Sequence, residues 1–201
     1  MTRHFPAIKE KLVLFLIFAV VIAALGTALL ISKKVFTTLF VKPITQATLH
    51  TDMGDITFKF RQDTPRAVEN FIRLSEQGLY DSTKIHRVVP DFLIEGGDPL
   101  TKFTSSRNQW GKGGPGYVFP DEIFANDKMV RGVVAMVNDG PNTNGSQFFI
   151  LTKDAEWLNG KNTIFADVVA GMDVVDNIAS VSVGVTGLPL TDITIKSVEL
   201  K

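Results

Sequence analysis

Two hydrophobic patterns divide the chain. From Leu12 to Ile31, LVLFLIFAVVIAALGTALLI, an apolar run of about 20 residues carries no charge. As a helix it spans roughly 30 Å, the thickness of a bilayer core. A helix of that length with no polar face is unusual inside a globular core. The pattern predicts a basic head at 1–11, a transmembrane helix at 12–31 and a short tether at 32–44. A cleavable signal peptide is the competing reading, with Ala24-Leu25-Gly26 as its small-residue site. The apolar run outlasts a usual signal core of about 7–15 residues, which favours an uncleaved anchor. Arg3, Lys9 and Lys11 favour a cytoplasmic head, whereas Lys33 and Lys34 pull the other way. The short head and long tail favour a domain on the extracytoplasmic side.

From Thr45 the period changes to two. Ile56, Phe58 and Phe60 alternate with Thr57, Lys59 and Arg61 after a turn at Asp52–Asp55, as in a half-buried strand. Thr64-Pro65 predicts a capped helix start, with Ala67, Phe71 and Leu74 inward and Gly78 as terminator. Lys84–Pro99 reads as two short strands kinked or bulged at Pro90-Asp91, because proline lacks the N–H of a central strand. Residues 101–121 are loop. Strands follow near 132–137, 147–151 and 164–169, then a helix at 172–179 and a last strand through Ile193, Ile195 and Val198. Many short strands with two helices predict a mainly β domain over 45–201, a closed antiparallel barrel with helical caps.

Charge and composition narrow the chemistry. Residues 1–42 hold six basic groups and one acid, leaving 15 basic and 20 acidic groups on the remainder, a net of −5. A mildly acidic domain argues against a nucleic-acid surface. The absence of cysteine removes disulfides and thiolate catalysis. His4, His50 and His86 lie at no metal-ligand spacing, so no metal is expected. No Ser/His/Asp or Cys/His arrangement supports a hydrolase.

Around Lys84–Pro99 a single guanidinium, Arg87, precedes Phe92 and Leu93, with Glu95 just after. A charged fork beside an apolar floor suits a ligand that is part carbonyl and part hydrocarbon. A buried strand pair with Arg87 at a solvated end is the plainer reading. GKGGPG at 111–116 lacks phosphate-loop spacing and reads as a loop needing positive φ or close backbone approach. In GPNTNGSQFFIL, Gln147 and Phe149 share one strand face. EWLNGK sets Trp157 and Leu158 beside a turn. His86, adjacent to Arg87 on a strand, points to the opposite face and reads as structural.

IHRVVPDFLIEGGDP, GKGGPGYVFPDE, AMVNDGPNTNGSQFFIL and EWLNGKNTIFADVVAGMDVVDNI, in that order and spacing, resemble the cyclophilin family of peptidyl-prolyl cis–trans isomerases. The resemblance runs from about Gln46 to Lys201. It implies an eight-stranded antiparallel barrel capped by two helices, acting on proline-containing polypeptides without cofactor, as a monomeric domain. By matching position it implies that Arg87 is the catalytic guanidinium and that Phe92, Leu93, Phe149 and Leu158 form the proline pocket, with Trp157 at its rim. Gln147 and Asn138 would contact the substrate backbone, with Glu95 in support. Three positions depart from the family: Glu95 replaces the usual Gln, Leu93 a Met, and Asn162 a His in the substrate-binding set. Leu93 keeps an apolar wall of similar volume. Asn162 loses a ring. Glu95 sets a carboxylate beside the arginine, where it either orients the fork or holds it too tightly. Two functions follow: a membrane-tethered isomerase assisting folding, or a catalytically weak module that grips proline segments as a holdase or scaffold.

Overall fold

The computed structural model describes residues 43–201, together with Ile22 alone from the part of the chain before them. The expected head, the transmembrane segment and most of the tether lie outside the described residues. Among the described residues no helix is long and apolar enough to cross a membrane.

Alternation of apolar and polar residues generates the first hairpin. Strands β1 (Gln46–Thr51) and β2 (Gly54–Phe60) pair in register from Gln46↔Lys59 to Thr51↔Gly54. Their turn is held by Thr51, whose hydroxyl donates to the Gly54 carbonyl at 2.6 Å and accepts from Met53 N at 3.1 Å. The remaining strands are β3 (Thr83–Lys84), β4 (Arg87–Val89), β5 (Leu93–Gly96), β6 (Val133–Met136), β7 (Phe148–Leu151), β8 (Ile164–Ala170) and β9 (Thr194–Leu200). They form one antiparallel sheet in the order β3-β9-β1-β2-β8-β6-β7-β5-β4.

A closed eight-stranded barrel therefore needs correction. The described residues form nine strands in a curled sheet with two edges, β3 and β4. Those edges are consecutive in the chain. Ile85 N bonds Ile193 O at 2.9 Å on the β9 side, and His86 N bonds Glu95 O at 3.0 Å on the β5 side. One segment, 83–89, divides its hydrogen bonds between the two ends of the sheet, so the seam is bridged by the chain itself rather than by a ladder between β3 and β4.

Two apolar layers hold the sheet. The inner one gathers Phe58, Phe71, Tyr80, Phe148 and Phe165. Phe71 stacks on Tyr80 at 4.7 Å and meets Phe58 edge-on at 5.3 Å, geometries that suit the ring quadrupoles. Helix α1 (Pro65–Glu76) supplies Ala67, Phe71 and Leu74, and helix α2 (Met172–Ala179) supplies Val175, Ile178 and Ala179. The outer layer contains Leu93, Val133, Ala135, Phe149, Leu151 and Ile164. Neighbouring positions Ile94, Val134, Phe148 and Ile150 face inward. Strands β6 and β7 are thus apolar on both faces, which is why VVAM and FFIL run without alternation.

Two local expectations change. Pro90-Asp91 is a hairpin turn rather than a kink or bulge: Asp91 adopts φ 57°, Phe92 N bonds Val89 O at 3.1 Å, and β4 folds back on β5. Thr64 does precede α1, but its hydroxyl makes no cap and is buried without a partner among the described residues. The Glu122 carboxylate caps the helix instead, accepting from Arg66 N at 3.1 Å and Ala67 N at 2.9 Å. An anion there satisfies two otherwise orphaned donors and complements the helix dipole. Glu122→Ala is expected to lower unfolding free energy by about 1–2 kcal/mol, whereas Thr64→Val, which removes an unsatisfied hydroxyl, is expected to change it by less than about 0.5 kcal/mol. Urea denaturation of both variants measures the difference.

Candidate functional site

Strand register assembles the site. The β4–β5 hairpin sets Arg87 directly opposite Glu95, and β5–β7 pairing sets Glu95 opposite Phe149. Phe149 in turn faces Ala135 on β6. Side chains in one such row share a face, so the charged pair abuts the outer apolar layer. Leu93, two residues from Glu95, lies on the same face.

Arg87 Nη1 donates to Glu95 Oε1. The arginine side chain is 43% exposed and the glutamate 12%. Burial pushes the Glu95 carboxyl above its ordinary 4.5, and the adjacent guanidinium opposes this only in part. The pair lines a cleft of about 820 Å³ together with Val137 and Gln147.

The expected proline-pocket residues come together beside this cleft. Leu93 and Phe149, each 3% exposed, lie in the outer apolar layer, with Phe92, Leu158 and Val137 packed at its edge. These four expected residues do not line the 820 Å³ cleft; Val137 joins the cleft to the layer. Trp157 is 61% exposed, and its ring lies 5.4 Å from that of Phe92. It projects at the rim, on a short 3₁₀ turn, Glu156–Leu158.

The polar candidates are engaged with backbone. Gln147 Nε2 donates to Gly111 O at 3.1 Å and Gly113 O at 2.8 Å, binding the glycine loop to the start of β7. That loop wraps a buried carboxylate. Asp98, with no solvent exposure, accepts from Leu100 N at 2.7 Å, Gly111 N at 2.5 Å and Gly113 N at 3.2 Å. A Cβ on Gly113 would lie 2.0 Å from Asp98 Oδ1, so close approach explains that glycine. Asn138 Nδ2 donates to Lys161 O at 2.9 Å, and Asn162 Nδ2 donates to Met136 O at 3.1 Å. These two asparagines tie the end of β6 to residues 161–162.

His86 is buried at the cleft, and neither ring nitrogen has a hydrogen-bond partner among the described residues. Burial lowers its pKa below the ordinary value, which favours a neutral ring. Arg107, Trp110 and Leu188 also line the cleft. Sequence reasoning missed them because they lie in aperiodic segments brought together from 80 residues apart by folding.

The profile of the family described as "Cyclophilin type peptidyl-prolyl cis-trans isomerase/CLD" matches residues 46–200. "Peptidyl-prolyl cis-trans isomerase 9" of Schizosaccharomyces pombe is 48% identical over 134 residues, 66% of this chain and 21% of that protein. "Peptidyl-prolyl cis-trans isomerase CYP18-1" of Arabidopsis thaliana is 41% identical over 155 residues, 76% of this chain and 94% of that protein. The chain thus spans about a fifth of the first relative's length and nearly all of the second's. A crystal structure of a Cryptosporidium parvum cyclophilin type peptidyl-prolyl cis-trans isomerase superposes with TM-score 0.72 at 32% identity, covering 79% of this chain and 98% of that one. The same protein crystallised in the presence of the dipeptide ala-pro gives 0.71.

Asp98→Ala removes two charge-assisted acceptor contacts from the glycine loop and a third from Leu100 N, leaving those N–H groups without their carboxylate partner. Stability is expected to fall by about 2–4 kcal/mol, with amide exchange at Gly111 and Gly113 accelerated ahead of the sheet. Hydrogen-exchange NMR reads both sites directly.

Proposed function

The chain belongs to the family of cyclophilin-type peptidyl-prolyl cis-trans isomerases, and from that premise we propose that it accelerates rotation about X–Pro bonds in polypeptides, with Arg87 as the catalytic donor. One observation carries the reading: the Arg87–Glu95–Phe149 row, where a guanidinium at the cleft adjoins a continuous apolar layer.

The chemistry needs little else. Conjugation of the amide nitrogen with its carbonyl sets a rotation barrier of about 18–20 kcal/mol. Twisting breaks that conjugation and localises the lone pair on nitrogen. A donor aimed at the nitrogen strengthens as the bond twists, which is differential binding of the transition state. Phe92, Leu93, Phe149 and Leu158 hold the proline ring, and Trp157 covers it from the rim. Gln147, Asn138 and Asn162 fix the loops against which the substrate backbone lies. The apolar grip holds one side while the other rotates, and no covalent bond is made or broken.

The second reading, a proline-binding holdase or scaffold with weak turnover, is favoured by one observation. Glu95 holds a guanidinium donor that the twisted nitrogen would need. The pH dependence separates the two. Because the native Glu95 pKa is raised, the folded state binds that proton more tightly than the unfolded chain. The stabilisation from this group is therefore full below the unfolded pKa and lost as pH rises through the native one. Protonation within that window also releases Arg87.

The uncharged run Leu12–Ile31 supports a further part of the proposal: a single-pass anchor with the isomerase domain on the extracytoplasmic side, serving exported chains. Protease protection on intact cells and spheroplasts tests it; a domain protected until the membrane is breached rejects that orientation.

By NMR exchange on proline peptides, Arg87→Ala is expected to lower kcat/KM by about 10²–10³-fold; an unchanged rate removes Arg87 from its role. The wild-type rate is expected to rise as pH falls through the raised native pKa of Glu95, above the ordinary 4.5. Glu95→Gln, which keeps a hydrogen-bond acceptor without the charge, is expected to be faster at neutral pH and flat across that window. A wild-type profile that Glu95→Gln does not alter overturns the assignment to Glu95.

A further inference from the structure

Arg107 is a second guanidinium on the cleft, and its donors are spoken for. Nη1 donates to Asp192 Oδ1 at 2.6 Å and Nη2 to Pro189 O at 3.2 Å. Its Cζ lies 4.7 Å from the centre of the Trp110 ring, within cation–π range. An arginine whose charge is matched by Asp192 is poorly suited to reading an anion. What it does instead is geometric: it fixes an indole on one loop against the carbonyl and carboxylate of another loop some 80 residues away. The polar edge of that indole is also satisfied, because Trp110 Nε1 donates to Phe103 O at 3.3 Å. The part of Trp110 that lines the cleft is therefore ring.

The facing loop is equally constrained. Gly184 N bonds Leu188 O at 2.9 Å and Gly187 N bonds Gly184 O at 3.0 Å. Val88 N bonds Gly187 O at 2.8 Å, and a Cβ on Gly187 would lie 3.4 Å from Arg87 Cγ. Leu188 consequently sits next to the stem of Arg87 and lines the same cleft. In sheet order, the outer apolar layer lies on the β5 side of Arg87, while this loop lies across the free side of β4. A polypeptide whose proline rests on the outer layer and which advances about 3.3 Å per residue reaches the loop within a few residues.

We propose that Trp110 and Leu188, with Arg107 as the positioning residue between their loops, form a specificity subsite that takes a large apolar or aromatic side chain flanking the substrate proline. The inference rests on the isomerase reading for its substrate class, and its test reads binding as well as turnover. Burying such a side chain on two apolar walls corresponds to roughly a five- to tenfold gain in affinity.

The full chain is titrated with two sets of proline peptides, one carrying Phe or Leu and one carrying Ala at the residues on either side of the proline. Kd is read from chemical-shift changes, and kcat and KM from NMR exchange. The wild type is expected to favour the Phe and Leu peptides by about five- to tenfold in Kd and KM, with little difference in kcat. Trp110→Ala and Leu188→Ala are each expected to bring that ratio towards one. Arg107→Ala acts in the same direction, and Arg107→Lys, which keeps the charge without the planar fork, recovers part of the preference. A wild type without the preference, or a preference that survives both Trp110→Ala and Leu188→Ala, overturns the subsite. A preference in Kd that those variants abolish, with no catalysed exchange on any peptide, upholds the subsite while refuting the isomerase reading.

Discussion

Register between β4, β5 and β7 is the constraint on which the rest depends. Side chains alternate across a strand, so a slip of one residue exchanges the two faces. In the native pairing, Arg87, Glu95 and Phe149 align across three strands, and Leu93 follows on the same side. Displacing β4 by one position would send Val88, which is fully buried, outward and drive the guanidinium into the aromatic interior. Burying an unpaired charge there costs several kcal/mol. The hydrophobic pattern that folds the sheet thereby also delivers the Arg87 guanidinium to the cleft.

Polar groups then hold that arrangement from outside the sheet. Asp98 gathers the N–H groups of the glycine loop, Gln147 gathers two of its carbonyls, and the loop closes one wall of the cleft. Asn138 and Asn162 perform the corresponding task at the end of β6. Buried acceptors that are fully satisfied rigidify a loop at little net cost, whereas the same groups unpaired would be expensive. Much of the polar chemistry around the site is thus devoted to positioning backbone.

Periodicity made the elements legible because each has a distinct burial rhythm. The β2 alternation at Ile56, Phe58 and Phe60, the inward face of α1 and the helix at 172–179 all follow the pattern of apolar residues. Non-local pairing was less legible. Thr64 has the chemistry of a helix cap, yet Glu122 occupies the cap position from 55 residues away. The proline at position 90 correctly marked an interruption, but only tertiary pairing distinguishes a hairpin from a kink. Of the site, ordered motifs located Arg87, Glu95, Gln147 and the apolar residues. The wall made by Arg107, Trp110 and Leu188 left no trace, because its members share neither a period nor a motif.

The divided hydrogen bonding of residues 83–89 bears on how the sheet closes during folding. Both β1 and β3 take their outer partner from β9, a strand far along the chain from either. Until β9 docks, those two strands present unpaired backbone, the kind of edge that invites pairing with a foreign chain. Docking of β9 is a contact of high sequence separation, slow relative to local hairpins. A folding chain with β9 still undocked would carry a finished cleft wall at β4–β5–β7 and an unguarded flank at the opposite end of the sheet.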